Sequence, residues 1–106
     1  MAFRINYSDL FHSSFDEMVV CGRNYYSRNT ILTLIKDIKA QVSYLIDNPY
    51  IWQREPLLMD LPMEHRRVII KPFFKLIYFV TEDCVVIHDI WDTRRDPDVL
   101  LSRIKN

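Results

Sequence analysis

The sequence predicts a single α+β domain in which a helical hairpin packs on an antiparallel-rich sheet. The order is β-α-α-β-β-β, with room for a short C-terminal helix. Three observations predict it. Residues 29–47 carry Ile31, Leu34, Ile35, Ile38, Val42, Leu45 and Ile46 at the spacing of one helix face. Residues 65–97 hold three short apolar runs, 68–70, 73–80 and 84–91, rich in β-branched and aromatic side chains, which is the composition of strands. The full length, 106 residues, suits one domain with one core.

Taken in order, residues 2–7 alternate, with Phe3, Ile5 and Tyr7 on one face and Arg4 and Asn6 on the other, as a half-buried strand does. Ser8 can cap a following helix, and Asp9 suits its first turn. Phe11, Phe15, Met18 and Val19 recur at helical spacing, and Gly22, the only glycine, is placed to end that helix. Residues 23–28 are polar and read as a turn. Ser27 or Asn29 can cap the second helix, and Asn48-Pro49 stops it. Two helices joined this way should form an antiparallel hairpin.

Residues 50–64 have no period and are broken up by Pro56 and Pro62 after Pro49. A structureless loop this long is uncommon in a compact domain, and Leu57, Leu58, Met59 and Leu61 imply that it packs. Pro72 cannot donate to a ladder, so it belongs in the connection between the first two runs of the 65–97 stretch. Thr81-Glu82-Asp83 reads as a hairpin loop. Residues 98–105 can form a last helix through Val99, Leu100 and Ile104, with Asp96 or Asp98 near its start. The helical hairpin should cover one face of the sheet, leaving the opposite face less covered.

Composition excludes some functions. Lys and Arg equal Asp and Glu at 14 each, and the pI is near 6.8, so broad polyanion binding has no support. Charge is segregated locally. From His65 to Lys75 there are four basic residues, Arg66, Arg67, Lys71 and Lys75, and no acid. Arg94 and Arg95 follow, among Glu82, Asp83, Asp89, Asp92, Asp96 and Asp98. These cations make a patch only if the fold brings them to one face. Otherwise Arg66, Arg67 and Lys71 are the solvated side of an edge strand, and Arg94 pairs with Asp92 or Asp96. His88 should share a face with Val86 and Ile90 as a satisfied sheet histidine, with His65 and His12 solvated. Trp52 and Trp91 read as packing residues, and Tyr78, alternating with Leu76 and Val80, as core. Cys21 and Cys84 have apolar flanks and read as buried thiols, with a disulfide left open. There is no leader-like apolar segment, and the longest apolar run, 76–80, is too short to cross a membrane; a cytoplasmic location is expected. No nucleophile elbow, phosphate loop or metal-ligand spacing occurs, so no cofactor and no metal are expected.

Four pieces then resemble a known family. They are Leu45-Ile46-Asp47-Asn48-Pro49 after the helical hairpin, Arg67, Phe74-Lys75-Leu76-Ile77-Tyr78, and the tail Asp92-Thr93-Arg94-Arg95-Asp96-Pro97. In order and spacing they resemble the RelE/ParE superfamily of toxins from type II toxin–antitoxin systems. The resemblance implies a growth inhibitor neutralised by a cognate antitoxin protein encoded beside it. It implies one of two targets. RelE-like members cleave messenger RNA on the ribosome, and ParE-like members inhibit DNA gyrase. RNA cleavage needs a base for the 2′-hydroxyl, cations for the phosphorane charge and an acid for the leaving oxygen. Lys75 stands where the family usually has arginine, and Arg67, Lys71, Lys75 and Arg94 are the catalytic candidates as phosphate clamps. With Arg66 and Arg95 they are also the candidates for target binding. Asp92 stands where such nucleases often place histidine, and no His or Tyr follows it. The balance falls on the ParE-like side, with the endoribonuclease and a degenerate partner-binding member as alternatives. The antitoxin is expected on the less covered sheet face and on Ile51, Trp52, Leu57 and Leu58, since exposed apolar surface marks partner sites.

Overall fold

Ser8 ends one element and begins the next. Its hydroxyl accepts from the Phe11 amide at 3.0 Å and donates to the His88 carbonyl at 2.7 Å. This caps α1 (Asp9–Val20) and ties its start to the strand that contains His88. The computed structural model describes residues 3–20 and 25–105. Gly22 and Cys21, the start of the first strand at Ala2, and part of the 23–28 connection lie outside them.

Ser27 is the cap that α2 (Arg28–Leu45) uses, its hydroxyl accepting from the Thr30 amide at 3.0 Å. Past the helix end, the Asn48 side chain donates to the Tyr44 carbonyl at 3.1 Å. The sheet comprises β1 (Arg4–Tyr7), β2 (Arg66–Ile70), β3 (Phe74–Val80) and β4 (Cys84–Asp92), in the order β1-β4-β3-β2. β2, β3 and β4 form the expected antiparallel meander, and β1 joins it parallel to β4. Pro72 lies in the β2–β3 connection, and the Thr81 amide closes the next hairpin on the Cys84 carbonyl at 2.8 Å. Cys84 is a half-buried free thiol.

Two apolar clusters sit on opposite faces of this sheet. Phe11, Leu34, Ile38, Val42 and Leu45 from the two helices pack on Leu76, Tyr78, Val85 and Ile87. On the other face Ile77 and Trp91 are covered by Leu58, Leu100 and Ile104. The second cluster is the smaller, so this face is the less covered one, as expected, but it is not bare. α3 (Pro97–Lys105) and the 3-10 turn Pro56–Leu58 lie over it. A nine-residue helix is marginal alone. Burial of Leu100 and Ile104, each worth roughly 2 kcal/mol, holds it in place.

Alternation also breaks at one point. Ile77 pairs with Asp89 but Tyr78 pairs with Ile87, so His88 is an extra residue in β4, a β-bulge. Cross-strand partners share a face. Ile90, opposite Leu76, thus joins the helix-side cluster, and does not share a face with His88 as strict alternation predicts. Among the described residues no helix is long and apolar enough to cross a membrane.

Candidate functional site

The sheet divides the sequence-predicted cations between its two faces. Arg67 lies opposite Ile77 and Lys75 opposite Ile69 and Trp91, which puts both on the α3 face. Arg94 follows Asp92, which is opposite Phe74 on the helix face. Lys71 lies in the turn between β2 and β3, where it borders a cavity of about 220 Å³ with Asn29, Thr30 and Thr33 at the start of α2. The four candidates do not form one clamp.

Arg67 and Lys75 are instead held by a residue that the sequence did not flag. The chain at Gln53–Glu55 runs beside the start of β2, with the Arg67 amide donating to the Gln53 carbonyl at 3.0 Å and the Glu55 amide to the His65 carbonyl at 2.9 Å. This places the Glu55 side chain, 1% exposed, beneath the loop. It accepts from the Lys75 ammonium, from the Leu57 amide at 3.2 Å, and stands 3.7 Å from the Arg67 guanidinium. Lys75 is itself 7% exposed. A carboxylate taken out of water survives only with such partners, and in return it engages both cations and offsets one of their two charges. Arg66 is likewise occupied. Its guanidinium donates to the Trp52 carbonyl at 2.6 Å, pairs with Glu64 at 2.9 Å and lies 5.3 Å from the Tyr50 ring centre. Neither Arg66 nor Arg67 is a freely solvated edge charge.

At the far end of β4 the ion pair expected for Arg94 is present. It pairs with Asp92 at 2.7 Å, and its amide donates to the same carboxylate at 2.9 Å. The guanidinium also lies 3.5 Å from the Phe73 ring centre, a cation–π arrangement. Tyr26, from the connection before α2, donates to Asp92 at 2.5 Å. Burial raises the Asp92 pKa, but the hydrogen bonds from Arg94 and Tyr26 outweigh it and leave the carboxyl below its ordinary value. The Tyr26 phenol is pushed up to about 12, first by burial and then by its hydrogen bond to the Asp92 carboxylate. It is a neutral donor at physiological pH. The Arg94 side chain stays 55% exposed, and exposed Arg95 lies 4.4 Å from the Trp91 ring centre. Among the described residues Lys71 and Arg95 are the predicted cations in no ion pair, and Arg94 is half exposed beside its own carboxylate.

The expectation of a solvated His65 is corrected. The residue is 3% exposed, with Nε2 2.9 Å from Nδ1 of His88. The Phe79 ring edge packs on both imidazoles. Burial, then the neighbouring His88, lowers the His65 pKa to about 4, and burial lowers that of His88. The pair is neutral at pH 7, with His65 buried and His88 half-buried. His12 is exposed, as expected.

Of the residues expected to meet an antitoxin, Ile51 and Leu57 are exposed. Trp52 packs against the helix-side cluster and Leu58 is 1% exposed in the opposite one, so Leu58 is core and not surface. Sequence reasoning missed Glu55 and Tyr26. Glu55 had one visible signal, an acid placed directly before Pro56 in a loop that had to pack. Tyr26 had none, because its partner Asp92 is distant in sequence.

No protein-family model matches the chain, and no curated protein matches it. Solved structures do. The chromosomal ParDE toxin–antitoxin system from P. aeruginosa aligns at 15% identity over 86% of this chain and 96% of that one, with a TM-score of 0.65. The E. coli DinJ–YafQ toxin–antitoxin complex aligns at 16% identity over 89% and 96%, TM-score 0.59. The protein HP0894 from Helicobacter pylori aligns at 16% over 88% and 97%, TM-score 0.59. The chain shares the fold of these proteins, the α+β arrangement expected from the sequence.

Proposed function

We propose that this chain is the toxin of a type II toxin–antitoxin pair, neutralised by a protein antitoxin. We further propose that it acts as ParE-like toxins do, by binding and inhibiting DNA gyrase. The observation that carries the second step is the commitment of Lys75 and Arg67 to buried Glu55. A nuclease of this fold needs cations free to meet a phosphorane and an acid and base within reach of it. Here three of the four candidate cations are paired with carboxylates of the chain, His65 is buried with His88 half-buried against it, and the Tyr26 phenol is engaged with Asp92.

One observation favours the alternative, a RelE-like ribosome-dependent endoribonuclease. Arg94 is half exposed over Phe73, with Lys71 and Arg95 also open to solvent. Anion binding requires cations of this kind. The deciding experiment is induced expression with pulse labelling of DNA and protein synthesis over the first minutes. An early halt in DNA synthesis alone is expected. An early halt in protein synthesis, with cleaved messages, rejects the gyrase reading in favour of the nuclease. Absence of any growth effect rejects both and leaves a partner-binding member of the fold. In the nuclease case, Lys75→Ala with Arg94→Ala abolishes toxicity while antitoxin binding survives; retained toxicity excludes that chemistry.

A further inference from the structure

α1 and α2 both pack on the helix face of the sheet. Between them, beside the end of β1, opens a cavity of about 200 Å³. Its floor is Phe11 and Ile38, both buried, and its walls are the half-buried Tyr7, Phe15 and Ile35. The aromatic rings form a row. Phe15 stacks on Phe11 with 6.0 Å between ring centres, and Tyr7 tilts against Phe11 at 5.1 Å. The other two lining residues, His12 and Lys39, are exposed and so belong to the mouth. No lining residue is an acid. Neighbouring helices ordinarily interlock ridge into groove, and interiors leave few voids larger than a water molecule. An apolar space of this size forfeits contacts along its lining unless a guest restores them.

We propose that the cavity between α1 and α2 binds a small aromatic carboxylic acid, its ring lying against Phe11, Phe15 and Ile35 and its carboxylate meeting Lys39 and His12. Size sets the body. An apolar cavity of about 150 Å³ holds one benzene ring, so this one takes a ring with a short alkyl stem. Charge sets the head. Lys39 is in none of the ion pairs among the described residues, and the His12 imidazole beside it offers a ring nitrogen as a further donor. The Tyr7 phenol, held above its ordinary pKa by burial, is a protonated donor at neutral pH. An apolar lining with a few polar groups at one end is the ordinary make-up of a small-molecule site. The space also disfavours a docked helix, which inserts a row of anchors along a groove, whereas this cavity has room for one. The inference does not depend on the toxin–antitoxin reading, since Arg67 and Lys75, whose pairing bears on that reading, lie on the opposite face of the sheet.

The test titrates the full chain, methyl-labelled at isoleucine, with phenylpropionate and with its uncharged analogue phenylpropanol at neutral pH, read by NMR. Saturable ring-current shifts of the Ile35 and Ile38 methyls are expected with the acid, which should bind more tightly than the alcohol. Lys39→Gln, at an exposed position, is expected to weaken the acid about threefold to fivefold, the scale of one exposed charge contact, and to leave the alcohol unchanged. Ile35→Phe puts a ring of the chain's own into the cavity and is expected to abolish binding of both. If that variant does not fold, the comparison of acid with alcohol in the wild-type chain and in Lys39→Gln decides. Equal affinity for acid and alcohol overturns the inference, as does the absence of a saturable shift or a set of shifts centred on other residues. Shifts of the same methyls that grow with protein concentration in the absence of either probe make the occupant a second copy and overturn it as well.

Discussion

Lys75 meets Glu55 in the protein interior, where neither side chain has appreciable contact with water. The pair joins the middle of the sheet to the loop that crosses it. Removing one partner of a buried pair leaves an uncompensated charge and costs roughly 3–5 kcal/mol, whereas replacing both by apolar side chains is often neutral. Glu55→Ala should therefore lower stability by about that amount. Glu55→Leu with Lys75→Met should recover most of it. Urea unfolding of the three variants checks both; equal losses in the single and double variants would contradict the pairing.

The buried His65 imidazole makes stability depend on pH in a defined direction. His65 titrates near 4 in the folded chain and near its ordinary 6.5 when unfolded. Between those values the unfolded state binds more protons, so stability rises with pH through this window. The contribution is full above the unfolded value and is lost as pH falls towards the folded one. It amounts to something on the order of 3 kcal/mol, since a tenfold change in proton affinity is worth about 1.4 kcal/mol. His65→Phe should flatten the profile between pH 7 and pH 4, as read by urea unfolding at several pH values. An unchanged slope would place the titration elsewhere.

Tyr26 donates to a carboxylate that Arg94 also holds. Tyr26→Phe should cost about 1 kcal/mol, the usual net worth of such a bond. It should also raise the Asp92 pKa towards its ordinary value. Because the folded pKa is depressed, Asp92 contributes stability above that ordinary value that disappears as pH falls through the folded one. The variant should lose part of this contribution. Carboxyl titration by NMR reads the change directly.

Arg103 docks α3. It reaches Asp89 at 3.4 Å, donates to the Ser14 hydroxyl and lies 5.2 Å from the Trp91 ring centre. Burial already raises the Asp89 pKa, with Ser14 and Arg103 opposing it. Arg103→Met preserves apolar packing on Trp91 but removes the counter-charge. The Asp89 pKa should rise further, and α3 should loosen by roughly 2–3 kcal/mol. Faster amide exchange in α3 and a shift in tryptophan fluorescence are the expected readouts.

The helices and the meander were legible because each carries its own period. The stripe from Ile31 to Leu45 and the runs around Leu76 and Ile87 are local patterns, and local patterns survive in a linear reading. The coverage of the second face was not legible. It depends on Leu58, in a loop without period, meeting Leu100 and Ile104 from the chain's end. The site suffered in the same way. Arg67 and Lys75 read as available cations because Glu55, which holds them, comes from a different segment. Charge can be counted along a chain, but neutralisation is decided in space.

The bulge in β4 has a consequence at the level of the reading frame. Without His88, the order Ile87, Asp89, Ile90, Trp91 alternates strictly between the helix face and the α3 face, each residue keeping the side it now occupies. The chain thus carries a strand of ordinary periodicity with one residue spliced into it. An in-frame deletion of that single codon would sacrifice the contact with His65 yet preserve the burial pattern of the strand. Deletion of the Asp89 codon would keep the alternation but remove the carboxylate that Arg103 meets, and deletion of the Ile87 or Ile90 codon would turn a polar side chain to the helix face. In a scan of single-codon deletions across this strand, tolerance should peak at His88.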